Sequence, residues 1–150
     1  MLARRFAHPE GGFFRTPDDH EALLAREKPG YDGAEPTGNS VAALTLLRLE
    51  ALTGEATYRE QAEKLIASLG ALLGGAPAAL GEMLLALDFL LSEPREVVLV
   101  RPAKGSDETL LDEVRKRFAP AQVLVRHEEG AATPLARDRP AMDGKPTGSA

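Results

Sequence analysis

The chain has 150 residues, a formal net charge of -5 and no cysteine, and only 5% of its residues are aromatic. The negative charge argues against nucleic acid or an anionic membrane surface as a partner, since both attract clustered lysine and arginine. Without cysteine, disulfides, thiolate zinc sites and cysteine nucleophiles are excluded within this chain. The sequence contains no run of about 18 apolar residues, so no membrane span is predicted. Arg4 and Arg5 are not followed by the apolar stretch of a signal peptide, and we therefore expect a cytoplasmic protein.

Residues 1–38 are predicted to form a long ordered loop. Turn-forming pairs such as Pro29-Gly30 and Asp32-Gly33 recur at short intervals. A loop of this length is uncommon in a compact domain and is usually functional or disordered. Its aromatic and acidic residues favour an ordered loop.

Three helices are predicted next, over residues 39–53, 56–73 and 77–91. The first and third carry apolar residues in almost every direction around the helix axis, which predicts burial on most sides. The second has one apolar stripe at steps of three and four, which is typical of a surface helix. Asn39 or Ser40 is the predicted N-cap of the first helix.

This order of buried, amphipathic and buried helices predicts a two-layer array of helical hairpins, with an inner ring of apolar helices and an outer ring that faces water. Three helices cannot close such a ring. We therefore expect a C-terminal fragment of a larger helical toroid, in which helices 39–53 and 77–91 expose apolar faces. Large exposed apolar faces drive association, so self-association is also expected.

After the helices, residues 96–100 and 122–125 are short β-branched runs, and residues 107–118 have the stripe of an amphipathic helix. A strand, a helix and a strand joined by short links form a βαβ unit, so the two strands should be parallel with a right-handed crossover.

The predicted fold class is mainly α, with the hairpins of a partial toroid followed by a small βαβ unit. Residues 1–93 hold the partial α/α-toroid hairpins and the long N-terminal loop, residues 94–127 hold the βαβ unit, and residues 128–150 form an irregular tail.

Several stretches resemble one family, the thioredoxin-domain-containing proteins of the YyaL and spermatogenesis-associated protein 20 type. The most specific is residues 31–43, which read Tyr-Asp-Gly-Ala-Glu-Pro-Thr-Gly-Asn-Ser-Val-Ala-Ala. The other matching stretches, in the family's order and spacing, are residues 11–14 with Asp18 and Asp19, 46–49, 95–100 and 143–147.

The resemblance implies a protein several times longer, with a thioredoxin-like domain followed by an (α/α)6 toroid similar to N-acylglucosamine 2-epimerases and six-hairpin glycosidases. The upstream hairpins and the thioredoxin-like domain of that parent chain would be partners of this segment. Family members continue past the terminal Lys-Pro-Thr into a cysteine-containing segment, whereas this chain has no residue to carry a redox role.

The strongest candidate site is the loop before the first helix, with Asp32, Glu35, Thr37 and Asn39. Loops at the ends of inner helices line the central pocket of a toroid, and the free amides of a helix start bind an oxygen atom or an anion. We expect these residues to contact a small polar ligand such as a sugar. The alternative is a purely structural turn, with Asn39 as the cap and Asp32-Gly33 as a tight turn.

Three other acidic residues are weaker candidates for ligand contact. Asp18 and Asp19 would suit glycoside hydrolysis, but the two carboxyl groups must lie about 5 to 10 Å apart across the bond and adjacent residues usually diverge. One of them is the N-cap of a short helix through residues 23–24 in the alternative interpretation. His20 lacks a second histidine at helical spacing, so no metal site is predicted. Glu82 either faces the pocket or favours the helix dipole.

Two functions therefore remain open, and neither requires a cofactor. In the first, the chain contributes a pocket wall, but not complete catalysis, to a protein that binds or isomerises carbohydrate. The epimerases of similar fold use histidines on inner helices, and neither buried helix here has one, so no catalytic residue is assigned. In the second, the chain is a structural or protein-interaction module that closes the toroid.

Overall fold

A computed structural model describes residues 5–19, 25–102 and 104–128. This part of the chain is mainly helical with one two-stranded parallel sheet, which confirms the predicted class, whereas the toroid remains a prediction. In chain order the elements are α1 (Gly38–Thr53), α2 (Ala56–Ser68), α3 (Gly70–Gly75), a 3-10 turn (Pro77–Ala79), α4 (Gly81–Leu91), β1 (Arg95–Arg101), α5 (Glu108–Arg115) and β2 (Gln122–Glu128).

Helix α1 lies at the centre and packs against α2 and α4, while β2 contacts it from the sheet. Its N-cap is Thr37, whose side chain accepts a hydrogen bond from the Ser40 amide at 3.1 Å. The predicted caps Asn39 and Ser40 were therefore wrong, because both lie inside the first turn and are buried. The helix ends at Thr53, the predicted last residue, and Gly54 follows it with a left-handed φ of 73°.

One apolar core joins the helices to the sheet. Leu47 of α1, Leu65 of α2 and Met83 of α4 are fully inaccessible to solvent, and Val123 of β2 belongs to the same cluster at 4% exposure. Burying an aliphatic side chain of this size contributes about 1.5 to 3 kcal/mol. These contacts fix the start of α1, and with it the loop that precedes the helix.

The predicted second and third helices have different bounds in the structure. The helix over residues 56–73 is interrupted at Leu69, whose φ of -108° and ψ of 7° are not helical, and Gly70 begins a separate short helix. Glycine next to the break weakens a continuous helix, and Leu69 turns into the core instead. The third helix begins at Gly81 rather than at Pro77, because the intervening turn has 3-10 geometry.

Helix α4 was predicted to be buried on most sides of a complete toroid, and in this chain one of its faces is exposed. Met83 and Phe89 lie in the core, but Leu84, Leu85 and Leu91 are 38%, 38% and 78% exposed. This pattern confirms the predicted exposed apolar face on α4. The corresponding residue of α1 is Val41, at 45% exposure.

Strands β1 and β2 pair in parallel over their whole lengths, which confirms the predicted strand direction. Strand β2 extends to Glu128, one residue into the predicted tail, and residues 129–150 lie outside the described part of the chain. The helix predicted over residues 107–118 with an apolar stripe of Leu110, Leu111, Val114 and Phe118 ends at Arg115 in the structure. Leu111 is buried as predicted, but Leu110 is 61% exposed, and Phe118 lies beyond the helix and is 90% exposed. Two strands about 4.8 Å apart are too narrow to cover a whole helix stripe.

None of the helices within residues 5–19, 25–102 and 104–128 combines the length and the apolar character needed to cross a bilayer.

Candidate functional site

The N-terminal loop is attached to α1 by the side chain of Asn39, which is 1% exposed. Its amide nitrogen donates to the carbonyl oxygens of Phe13 at 3.0 Å and Pro29 at 2.7 Å, and its oxygen accepts from the Phe13 amide at 2.8 Å. Two distant parts of the loop are thus held side by side by one buried amide group. In this geometry Asn39 organises the loop.

A glycine turn allows the backbone around Phe13 to approach Asn39 so closely. Gly11 and Gly12 have φ angles of 104° and 78°, where a side chain would be strained. A Cβ atom on Gly12 would lie 2.9 Å from the Asn39 side-chain oxygen, and one on Gly11 would lie 2.5 Å from the Lys64 carbonyl oxygen. The turn therefore requires glycine at both positions for conformation and for space.

Asp32 connects the loop to the starts of two helices. Its Oδ1 accepts from the Thr37 amide at 2.8 Å, and its Oδ2 accepts from the amides of Glu82 at 3.0 Å and Met83 at 3.3 Å. Burial raises the pKa of Asp32, but the hydrogen bonds from Thr37 and Met83 outweigh burial, so the pKa is lowered overall. The ionised carboxylate thus satisfies N-terminal amides of α4 that would otherwise lack partners.

A cleft of about 650 Å³ opens between the loop and the start of α1. Its size lies within the range of small-molecule sites, roughly 300 to 1,000 Å³. Aromatic side chains supply its apolar surface, including Phe13, Phe14 and Tyr31. Tyr31 is 64% exposed, so much of its surface is accessible to a ligand.

Charged side chains of both signs also line the cleft. Arg15 and Glu27 form an exposed ion pair at 3.4 Å. Lys28 donates through its Nζ to the Ser68 hydroxyl at 2.8 Å. Burial lowers the pKa of Lys28, and the nearby charge of Glu10 partly opposes this effect. The cleft therefore combines aromatic surface with cations and carboxylates.

Of the residues predicted to bind a ligand, Glu35, Thr37 and Asn39 line this cleft. Asp32 belongs to the same loop, but its carboxylate is bonded to the backbone at the starts of α1 and α4. The structure thus places the predicted loop beside a cleft, but Asn39 holds the loop together instead of capping the helix as the structural alternative described. Ligand contact by these residues remains a prediction.

The three weaker candidates lie away from the cleft lining. Asp18 and Asp19 are exposed, and Asp19 forms an ion pair with Arg5 at 2.7 Å. Glu82 is half-buried in the first turn of α4. His20 and the short helix predicted through residues 23–24 lie outside the described residues.

Sequence reasoning did not identify Phe13, Phe14, Tyr31 or Lys28 as lining residues of a site. The adjacent Phe13-Phe14 pair was a usable signal, because it is an apolar pair in an otherwise polar loop. Lys28 gave no signal, since a single lysine in a loop is ordinarily solvated.

A second polar cluster lies at one end of the sheet, where Arg126 of β2 bonds to Asp107 and Glu108 at the start of α5, with its Nε 2.7 Å from Asp107 Oδ2. The hydrogen bond from Arg126 holds the pKa of Asp107 below its usual value. The carboxylates neutralise the guanidinium, so this cluster fixes the helix to the strand.

Within the described ranges, no group of three or more histidine or acidic residues is arranged to hold a metal ion.

Comparison with known proteins gave no matching family model. The chain is similar to spermatogenesis-associated protein 20 of Rattus norvegicus, with 30% identity over 135 residues, 89% of this chain and 17% of the rat protein. The human protein of the same name is 30% identical over 132 residues, 87% of this chain and 17% of its own length. An uncharacterized protein of Caenorhabditis elegans is 34% identical over 107 residues, 71% of this chain and 14% of its own length. The chain thus matches about one sixth of the length of the rat and human proteins and about one seventh of the nematode protein.

Proposed function

We propose that this chain is a C-terminal part of a larger protein of the spermatogenesis-associated protein 20 type, where it forms one wall of a sugar-binding pocket in a helical toroid. The similarity of 87% to 89% of the chain to a small part of much longer proteins supports the first half of this proposal. The exposed apolar face of α4 suits packing against further helices of such a protein.

The observation that carries the binding function is the cleft beside the start of α1. Sugars present both apolar C–H faces and many hydroxyl groups, so their sites combine apolar surface with a few well-placed polar groups. Phe13, Phe14 and Tyr31 supply the aromatic surface, and Glu35 supplies a carboxylate for hydroxyl groups. Apart from the Ser40 amide, which Thr37 caps, the first amides of α1 lack partners within the helix and suit ligand oxygens.

A titration of the ¹⁵N-labelled 150-residue chain with glucose and with N-acetylglucosamine, followed by NMR, tests this function. We expect saturable shifts in the segments that line the cleft, with a dissociation constant in the millimolar range. Glu35→Gln and Tyr31→Ala should weaken binding, whereas Glu60→Gln, an equivalent exchange at an exposed site on α2, should not. A folded chain that shows no saturable shifts with either sugar would contradict the proposal.

The exposed face of α4 favours a second function, a structural module without ligand chemistry. Leu84, Leu85 and Leu91 would then pack against other helices of the longer protein, and the loop would serve only to start α1 and α4. The same titration separates the two functions, because a structural module would give no sugar-dependent shifts in the cleft.

A further inference from the structure

Arg15 and Glu27 cancel each other's charge at the cleft. The Arg15 backbone amide donates to the Glu27 carbonyl oxygen at 2.8 Å, so the two residues, which both line the cleft, lie side by side. Their side chains form an ion pair, with Arg15 Nη1 3.4 Å from Glu27 Oε2. A ligand that approaches this pair therefore meets no net charge from it.

The charged end of the Lys28 side chain lies away from the cleft. Its Nζ donates to the Ser68 hydroxyl at 2.8 Å, and its Cε lies 3.1 Å from the position that a Cβ atom on Gly12 would take. The charge of Glu10 also acts on it. Ser68, Gly12 and Glu10 are not among the described residues that line the cleft. The Lys28 ammonium is therefore not presented to a ligand there.

Glu35 supplies the charge that remains at the cleft. Its side chain is exposed, and the residue lines the cleft together with its neighbour Pro36. Within residues 5–19, 25–102 and 104–128, Glu35 forms no ion pair and no side-chain hydrogen bond. The nearby Asp32 carboxylate accepts from the Thr37 amide, where it balances the positive end of α1. The cleft is therefore left with a negative charge that a cationic ligand would neutralise.

The ring of Tyr31 lies over the same short loop as Glu35. Its Cε1 atom is 3.7 Å from the position of a Cβ atom on Gly33, and the Gly33 amide donates to the Glu35 carbonyl oxygen at 3.2 Å. Phe14 already carries a cation, because the Arg26 guanidinium carbon lies 4.1 Å from its ring centroid. Tyr31 is 64% exposed and offers its ring to a ligand cation instead.

We propose that the cleft prefers a sugar that bears a protonated amine to its neutral counterpart, with the ammonium group bound between the Glu35 carboxylate and the Tyr31 ring. This inference rests on the proposed sugar-binding function and adds the ligand's charge to it. An ammonium group donates hydrogen bonds to a carboxylate and is attracted to the face of an aromatic ring. The net charge of -5 on the chain also favours the approach of a cation.

The experiment compares glucosamine with glucose by NMR titration of the 150-residue chain at matched ionic strength. At about pH 6, where the sugar amine is protonated, we expect glucosamine to bind about fivefold more tightly, a modest factor because both contacts are exposed to water. N-acetylglucosamine, whose acetyl group removes the charge of the same amine, should bind like glucose. The preference should disappear at about pH 9, where the amine is neutral, and should fall as sodium chloride is added.

The variants separate a local contact from the charge of the whole chain. Glu35→Gln should reduce the ratio of the glucosamine and glucose affinities to about one, while Glu35→Asp, which keeps the charge, should retain a preference. Glu60→Gln is the matched control, because it removes one negative charge from an exposed position on α2 and should leave the preference intact.

Equal binding of glucosamine and glucose at about pH 6, or a preference that persists in a folded Glu35→Gln chain, would overturn this inference and leave the proposed function standing. Failure of all three sugars to bind would refute the proposed function itself.

Discussion

Replacement of Asn39 by alanine is the most direct test of how the loop is held. The change removes three hydrogen bonds, of 2.7 to 3.0 Å, to the backbone of Phe13 and Pro29. A typical hydrogen bond contributes about 1 kcal/mol net, so the loss of three should lower the free energy of unfolding by about 3 kcal/mol. That is a large share of the roughly 5 to 15 kcal/mol by which native domains are stable.

The assay is urea denaturation monitored by circular dichroism. The free energies of unfolding are compared between variants whose dependence on urea concentration, the m-value, is the same. Asn39→Asp is an informative second variant, because it turns the two donors into acceptors that face the carbonyl oxygens of Phe13 and Pro29. It should be at least as destabilising at neutral pH. Thr45→Ala, at an exposed position of α1, is the control and should change stability by less than about 0.5 kcal/mol. If Asn39→Ala is as stable as this control, the loop is held by something other than the amide group.

The remaining predictions concern Asp32 and the glycines. Because the folded-state pKa of Asp32 is lowered, its ionised form should stabilise the fold above its ordinary value of 3.8, and this contribution should disappear as the pH falls through the lowered pKa. Asp32→Asn should therefore reduce the free energy of unfolding at neutral pH and make it depend less on pH in the acidic range. If the urea midpoint of the variant equals that of the unmodified chain at every pH, this prediction is wrong. Gly11→Ala should cost about 2 kcal/mol through strain at a φ of 104° and contact with the Lys64 carbonyl. Gly38→Ala, which meets nothing within 4 Å, should stabilise α1 by about 0.5 kcal/mol, and a thermal melt that ranks the two variants the other way would refute the assignment.

Local patterns in the sequence were sufficient to predict the main helices and strands, but not the residues at which each of them begins and ends. The apolar periods identified α1, α2 and α4, and the short links between β1, α5 and β2 predicted parallel strands. The break at Leu69 was not predictable from the stripe alone, because Leu69 continues the apolar pattern while its backbone turns toward the core. The width of the sheet likewise decided which residues of α5 are covered, and no residue within α5 encodes that width.

The candidate site shows the same division between local and tertiary information. Glu35 and Thr37 were found because they lie just before a helix, where polar residues serve either caps or ligands. The bond from Asp32 to the Met83 amide joins residues 51 positions apart and depends on how α4 packs against α1. The position of Lys28 depends on Ser68 of α2, which is 40 residues away.

The place of Val123 in the core has a consequence for how the chain loses its structure. Val123 belongs to the same core cluster as residues of α1 and α4, and β2 contacts α1, although the predicted boundary between the helical and βαβ segments lies at residues 93–94. A chain cut at that boundary would open one side of α1 to water. The sheet and the helices should therefore melt in one transition, and a defect in β2 would loosen the loop at the opposite end of the sequence.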